Sequence, residues 1–251
     1  MNTMKYLSVI ILIACFASCR NAPVKLKKMQ DDFNETGIVV VSPDIPLPLY
    51  AGPDDKEPYD IITFSRVLSG KEKGSIAINT TRLKSRIKPY QLTGGSSDAE
   101  GEQMVNVGLG PWPARLTFRV IGITPQYFEV LLNDSTNETA YIKKEGRKVL
   151  SALNENYSQI DERQRKSPSG YFVYETWANY LKRCQYISID NYEVYNAPNG
   201  KPVQKIVAGD YYKVVDVEGN WAKVIKNDNP IWILWRKNNK LTMVPIEYTV
   251  D

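Results

Sequence analysis

Histidine is absent from all 251 residues. Without imidazole there is no Ser-His-Asp or Cys-His nucleophilic pair, no histidine-bearing zinc site, and no side chain whose unperturbed pKa suits general base work near neutrality. Carboxylate chemistry of the glycosidase kind survives that exclusion, but no pair of acidic residues stands in a context that marks it as catalytic. A phosphate-cradling glycine loop is missing too, since Gly108-Leu109-Gly110 is followed by neither a third glycine nor a helical pattern. Asp32-Phe33-Asn34-Glu35-Thr36-Gly37 opens like a calcium loop, yet its last ligand position would be Pro43 where a bidentate Glu is required. The expectation is a protein that is not an enzyme and has no cofactor or metal. A dominant charge is also lacking: 32 Lys and Arg face 28 Asp and Glu, a net charge of +4 spread along the chain. That argues against a nucleic-acid partner. The apolar and charged fractions, 43% and 24%, are those of an ordinary globular protein.

Cysteine is scarce, at three residues, and two of them lie near the start. Met4 and Lys5 open a run, Tyr6 to Phe16, that is apolar but for Ser8; Ala17-Ser18-Cys19 comes directly after it. The run is shorter than the roughly 20 residues a membrane span needs. A basic start, a short apolar core and small residues before a cysteine resemble a bacterial lipoprotein signal. The resemblance implies that residues 1–18 are removed and that Cys19 carries acyl chains. Phe16 stands where Leu is usual, and Leu12-Ile13-Ala14-Cys15 offers a competing site, so Cys15 or Cys19 would be the lipidated residue; the longer core favours Cys19. Arg20, which is not Asp, implies the outer membrane, with the protein facing the periplasm. Residues 19–38 read as the lipidated tether, and Lys25-Leu26-Lys27-Lys28 would touch anionic head groups or keep the tether solvated. With Cys19 modified, Cys184 has no disulfide partner and is expected as a small buried residue.

An internal repeat organises the rest of the chain. Leu49-Tyr50-Ala51-Gly52-Pro53-Asp54-Asp55-Lys56 mirrors Val194-Tyr195-Asn196-Ala197-Pro198-Asn199-Gly200-Lys201, and Phe118 to Ile123 mirrors Tyr212 to Val217. At the same offset Tyr127-Phe128-Glu129-Val130 matches Trp221-Ala222-Lys223-Val224, and a last strand closes each copy, Ala140-Tyr141-Ile142 against Ile231-Trp232-Ile233. Two copies of one unit are implied. Period-two alternation predicts short strands, and Asn199-Gly200 and Glu218-Gly219-Asn220 supply residues suited to tight turns. Short strands with such turns close most readily as a small barrel.

The second copy resembles the bacterial SH3 domain family, through Val194 to Lys201, Ile206 to Tyr212, Val217-Glu218-Gly219-Asn220-Trp221-Ala222-Lys223-Val224 and Ile231-Trp232-Ile233. Ile231 departs from the glycine usual before the last Trp. The expected fold is mainly β with a helical linker: two small SH3-like β-barrels, the first carrying a large insertion. Barrel 1 would span 39–146 with the insertion at 65–115, the linker 147–184 and barrel 2 185–251. In the insertion, Ser75 to Thr81 reads as a strand and Thr93 to Asp98 as a loop. In the linker, Val149, Leu150, Leu153, Tyr157 and Ile160 have helical spacing, and a second helix would place Tyr174, Trp177, Leu181 and Cys184 on one face.

Aromatic residues of the second copy are the binding candidates: Tyr192, Tyr195, Tyr211, Tyr212, Trp221, Trp232 and Trp235. Such side chains fill small barrels as readily as they line grooves. Trp221 is assigned to the core, and Tyr195, Tyr211 and Trp235 to a ligand-binding surface. The resulting expectation is a lipid-anchored envelope protein, held to the membrane by its N-terminal acyl chains, that recognises a peptide, a protein or peptidoglycan. An immunity or inhibitor lipoprotein, or an accessory subunit of an envelope complex, is the alternative, with the insertion as its partner-specific surface.

Overall fold

The computed structural model describes residues 24–29, 35–41, 45–66, 68, 76–87, 93–95, 116–133, 135–151, 170–184, 186–189, 192–206, 210–226, 228–238 and 240–249. The signal segment with Cys15 and Cys19, most of the insertion, and the helical expectation over Leu153 to Ile160 lie outside them.

Gly37-Ile38-Val39-Val40-Val41 is an apolar run with every residue buried. Such a run suits a strand covered on both faces. It forms β1 (Gly37–Val41) inside a six-stranded sheet, ordered β8 (Glu138–Lys143), β7 (Tyr127–Asn133), β6 (Leu116–Ile123), β1, β10 (Tyr171–Thr176), β9 (Lys148–Ser151). Val39 and Val41 point into a core with Phe118, Phe128 and Phe172. Ile38 belongs instead to a second core, and Val40 packs with Leu150 and Val173. Backbones crowd at the start of this strand: a Cβ on Gly37 would lie 2.0 Å from the carbonyl oxygen of Glu175.

A three-stranded sheet, β2 (Leu47–Leu49), β3 (Asp60–Arg66) and β4 (Ile76–Asn79), adds Leu47, Leu49 and Ile62 to the first core. The strand expected over Ser75 to Thr81 is β4. Asp60 holds the loop after β4: its carboxylate accepts from the backbone N–H groups of Ile61, Thr81, Arg82 and Leu83 at 2.7–3.0 Å. Burial alone would raise its pKa, but the four donors hold it below the ordinary aspartate value.

The second sheet has eight strands, ordered β13 (Pro202–Ile206), β12 (Tyr192–Tyr195), β16 (Asn229–Leu234), β15 (Trp221–Lys226), β14 (Asp210–Glu218), β11 (Tyr186–Ile189), β19 (Val244–Thr249), β5 (Thr93–Gly95). Thr93–Gly95, expected as a loop, is thus a strand, parallel to β19. A short ribbon, β17 (Arg236–Lys237) with β18 (Lys240–Leu241), comes after β16.

Helix α1 (Trp177–Arg183) joins the two sheets in sequence. Thr176 caps it by accepting from the N–H of Asn179 at 3.3 Å, and Lys182 and Arg183 lie in its last turn, where the helix dipole favours cations. Trp177, Tyr180, Leu181 and Cys184 are buried in the second core beside Ile38 of β1. The face expected for this helix is therefore correct in three residues. Tyr174 differs, lying on β10 against the first core. The linker is less helical than expected, since Lys148–Ser151 is a strand, parallel to β10. Val149 is 42% exposed while Leu150 is buried, so pairing with β10 imposes a period of two on residues whose spacing also fits a helix.

The fold is mainly β, but its sheets are open and no closed barrel is found among the described residues. β1 contributes to this, because it lies between β6 and β10 and extends the first sheet beyond the repeat. The repeat itself is visible in the strand register. In the first copy Gly122, Glu129 and Tyr141 stand in one row across β6, β7 and β8, and Tyr50 bridges to Tyr141. In the second, Asp216, Lys223 and Trp232 form the same row across β14, β15 and β16, and Tyr195 pairs with Trp232. Register shifts fall at equivalent places, between Val120 and Gly122 and between Val214 and Asp216.

Candidate functional site: paired aromatic ledges

Strand alternation sorts the second copy into two faces. Val194, Ala222, Val224, Ile233 and Val214 are buried in the second core. Tyr195, Trp221, Lys223 and Trp232 have the opposite parity and share the outer face. There Trp232 is 9% exposed and forms a floor, flanked by half-buried Tyr195 and Trp221. The rings of Tyr195 and Trp221 meet edge to face, with centroids 4.8 Å apart and planes at 81°. That is a favoured aromatic geometry. The Tyr195 hydroxyl donates to Glu193 at 2.9 Å, which raises its pKa above the ordinary tyrosine value. The Lys223 ammonium lies 5.9 Å from the Trp232 ring.

The first copy repeats this arrangement. Tyr141 is the floor at 8% exposure, with half-buried Tyr50 and Tyr127 beside it. The Tyr127 and Tyr141 rings meet edge to face at 5.1 Å and 85°. The charges are exchanged, however. Glu129 occupies the place of Lys223 and accepts from Lys27 at 2.9 Å. Lys27 belongs to the segment expected to be a solvated tether, yet this stretch lies along β8. Lys28 bridges to Glu138, Met29 donates to the Asn137 carbonyl, and Leu26 enters the first core. The strand edge that β12 covers in the second copy is covered here by residues 27–29 and Tyr50.

The three residues assigned to a ligand surface have different fates. Tyr195 stands on the ledge. Tyr211 is 54% exposed but lies five residues along β14 from Asp216, the residue that faces Lys223. At ~3.3 Å per residue it is about 16 Å from the ledge row, so it does not share the site. Trp235 is 1% exposed and fully in the core. Its indole N–H donates to the Gly219 carbonyl at 2.9 Å and its ring packs 5.2 Å from Trp177. Arg236, next to it in the chain, is itself buried, at 7%. Trp221, assigned to the core, is the residue the ledge needed. Its parity with Lys223 was the available signal. Tyr212 is buried as a barrel-filling residue would be, and Cys184 is buried at 1%.

A buried ionic seam ties the ledges' two sheets together. The Glu35 carboxylate, with 0% side-chain exposure, accepts a bidentate pair from Arg119 of β6, one bond at 2.9 Å. The Trp177 indole of α1 donates to it at 3.0 Å, and Arg236 of β17 approaches to 3.7 Å. Arg236 also donates twice to the Asn220 side chain, at 2.9 and 2.7 Å, in the turn before Trp221. The turn that leads into Trp221 is thus linked through Arg236 and Glu35 to Arg119 of the first sheet.

No family model matches the chain, and no curated protein or solved structure matches it either.

Proposed function

We propose that the protein is a non-enzymatic, lipid-anchored binding module of the cell envelope, tethered through acyl chains on Cys19 at the periplasmic face of the outer membrane. Its second half is read as an SH3-like unit whose sheet stays open among the described residues, and it recognises an extended peptide or peptidoglycan stem on the ledge of Tyr195, Trp221 and Trp232. One observation carries this reading: a buried aromatic floor flanked by two half-exposed rings occurs at the same register in both copies. Core filling alone explains Tyr212 and Trp235, which face inward. It does not explain aromatic residues on the outer face of both copies. Edge-to-face rings present large apolar area with little rotamer freedom to lose, and the Tyr195 hydroxyl and Lys223 add polar handles.

The test is retention of the full chain, in detergent, on purified peptidoglycan, with Tyr195→Ala and Trp221→Ala beside it. Retention by the parent and loss in both variants supports wall recognition. No retention, or retention unchanged by both substitutions, removes the ledge as a wall site.

A further inference from the structure

The turn that ends the first copy concentrates three cations. Arg147 N–H donates to the Lys144 carbonyl at 3.1 Å, closing a tight turn in which Gly146 takes φ = 75°, a conformation glycine adopts freely. The turn brings Lys143, Lys144 and Arg147 to one end of the sheet. Each is seated in the same way, on an aromatic ring and a backbone carbonyl. Lys143 lies 4.2 Å from the centre of the Tyr50 ring and donates to the Asp55 carbonyl at 2.5 Å. Lys144 lies 4.2 Å from the Phe128 ring and donates to the Thr124 carbonyl. Arg147 lies 5.0 Å from the Phe172 ring and donates to the Pro46 carbonyl at 2.6 Å. None of the three makes an ion pair among the described residues.

All three side chains are half-buried. One terminal nitrogen of Arg147 is buried with no hydrogen-bond acceptor, a condition that needs an explanation when the group is charged. Burial lowers the pKa values of both Arg147 and Lys144, as expected for cations without a compensating anion. The three residues line a cleft of about 690 Å³ with Pro53, Pro125 and Tyr127, and Lys143 and Arg147 also line a neighbouring cleft of about 430 Å³ with Pro46, Pro48 and Tyr50. Asp54 and Glu145 line the larger cleft as well, so three positive and two negative side chains leave a local charge of +1. That balance suits a monoanion better than a phosphate dianion. The walls of proline and tyrosine suit an extended, uncharged body behind it.

We propose that this double cleft is a carboxylate-binding site for a peptide, with Arg147 and Lys143 engaging the carboxylate and the Tyr50 and Tyr127 side chains flanking the chain. It is separate from the ledge of Tyr195 and stands whether or not that ledge binds.

The experiment is an amide and arginine side-chain NMR titration of the full chain in detergent micelles. The probes are N-acetyl-tetra-alanine with a free C-terminus, its C-terminal amide, an amidated N-acetyl-Ala-Glu-Ala peptide, and phosphatidylglycerol mixed into the micelles. Saturable shifts confined to residues 46–54 and 125–147 are expected with a free carboxylate, at dissociation constants of about 1–10 mM. The free acid and the Glu peptide separate a terminal carboxylate from a side-chain one. Lys143→Gln and Arg147→Lys should each weaken the response about tenfold or more, with unshifted signals in the second sheet reporting that the fold is intact. Equal binding of the plain amide, no saturable shift with either carboxylate, or a response to the lipid phosphate alone would overturn the proposal.

Discussion

Glu35→Gln is the substitution that most directly tests how the two sheets are joined. The change preserves shape and removes one charge from a site where Glu35, Arg119 and Arg236 have side-chain exposures of 0%, 5% and 8%. Two guanidinium groups would then face a neutral amide with little water to screen them. Breaking a buried pair by removing one partner costs about 3–5 kcal/mol. For a chain of this size that corresponds to a fall in Tm of roughly 6–20 °C. Urea unfolding of the full chain in detergent, followed by circular dichroism and tryptophan fluorescence, measures it; Trp177 and Trp235 sit at the seam and report its opening. The cycle closes with Glu35→Met, Arg119→Met and the double variant Glu35→Met/Arg119→Met. Replacing both partners by apolar groups is often close to neutral, so the double variant should recover at least half of the single loss. A single-variant loss below about 1 kcal/mol, or a double variant that merely sums the singles, would refute the reasoning.

Three further outcomes rest on the same geometry. The Asp60 carboxyl has a lowered folded pKa while its unfolded value is near 4, so the unfolded chain takes up that proton first as pH falls. Its contribution is complete above about pH 4 and is lost as pH drops through the folded value; Asp60→Asn should lower stability at neutral pH by about 2 kcal/mol and flatten the acid limb of a urea-midpoint profile. Gly37→Ala forces a methyl against the Glu175 carbonyl oxygen, at 2.0 Å before relaxation, and should cost more than about 3 kcal/mol or abolish soluble expression. Trp235→Ala should cost about 3–5 kcal/mol by thermal unfolding, whereas Tyr211→Ala should stay within about 0.5 kcal/mol; equal losses would contradict the opposite burial of the two residues.

Much of the local pattern was legible. The repeat read from Tyr50, Tyr127 and Tyr141 against Tyr195, Trp221 and Trp232 appears as matching strand registers. Asn199 and Gly219 take φ of 57° and 56°, as the turn composition suggested. Assigning faces was harder. Trp235 follows a strand of alternating parity and was assigned to the surface, but it is buried, and so is Arg236 beside it, which is hydrogen-bonded to Asn220 and lies 3.7 Å from Glu35. Val149 and Leu150 fit a helical stripe equally well until β10 claims their backbone.

Taken alone, the sequence determined what depends on near neighbours. These are the excluded histidine chemistry, the predominance of short strands, the turn positions and the twofold repeat, because composition and parity act within a few residues. The tertiary structure decided what depends on distant partners. β1 entered between β6 and β10, so the first sheet did not end where the repeat does. The segment around Lys27 filled a distant strand edge, with Lys27 reaching Glu129 across 102 residues, and the Glu35 carboxylate drew in arginines from both halves of the chain. Unsatisfied backbone edges and buried charges must find partners wherever the chain can bring them, and nothing local to those residues specifies which partners they will be.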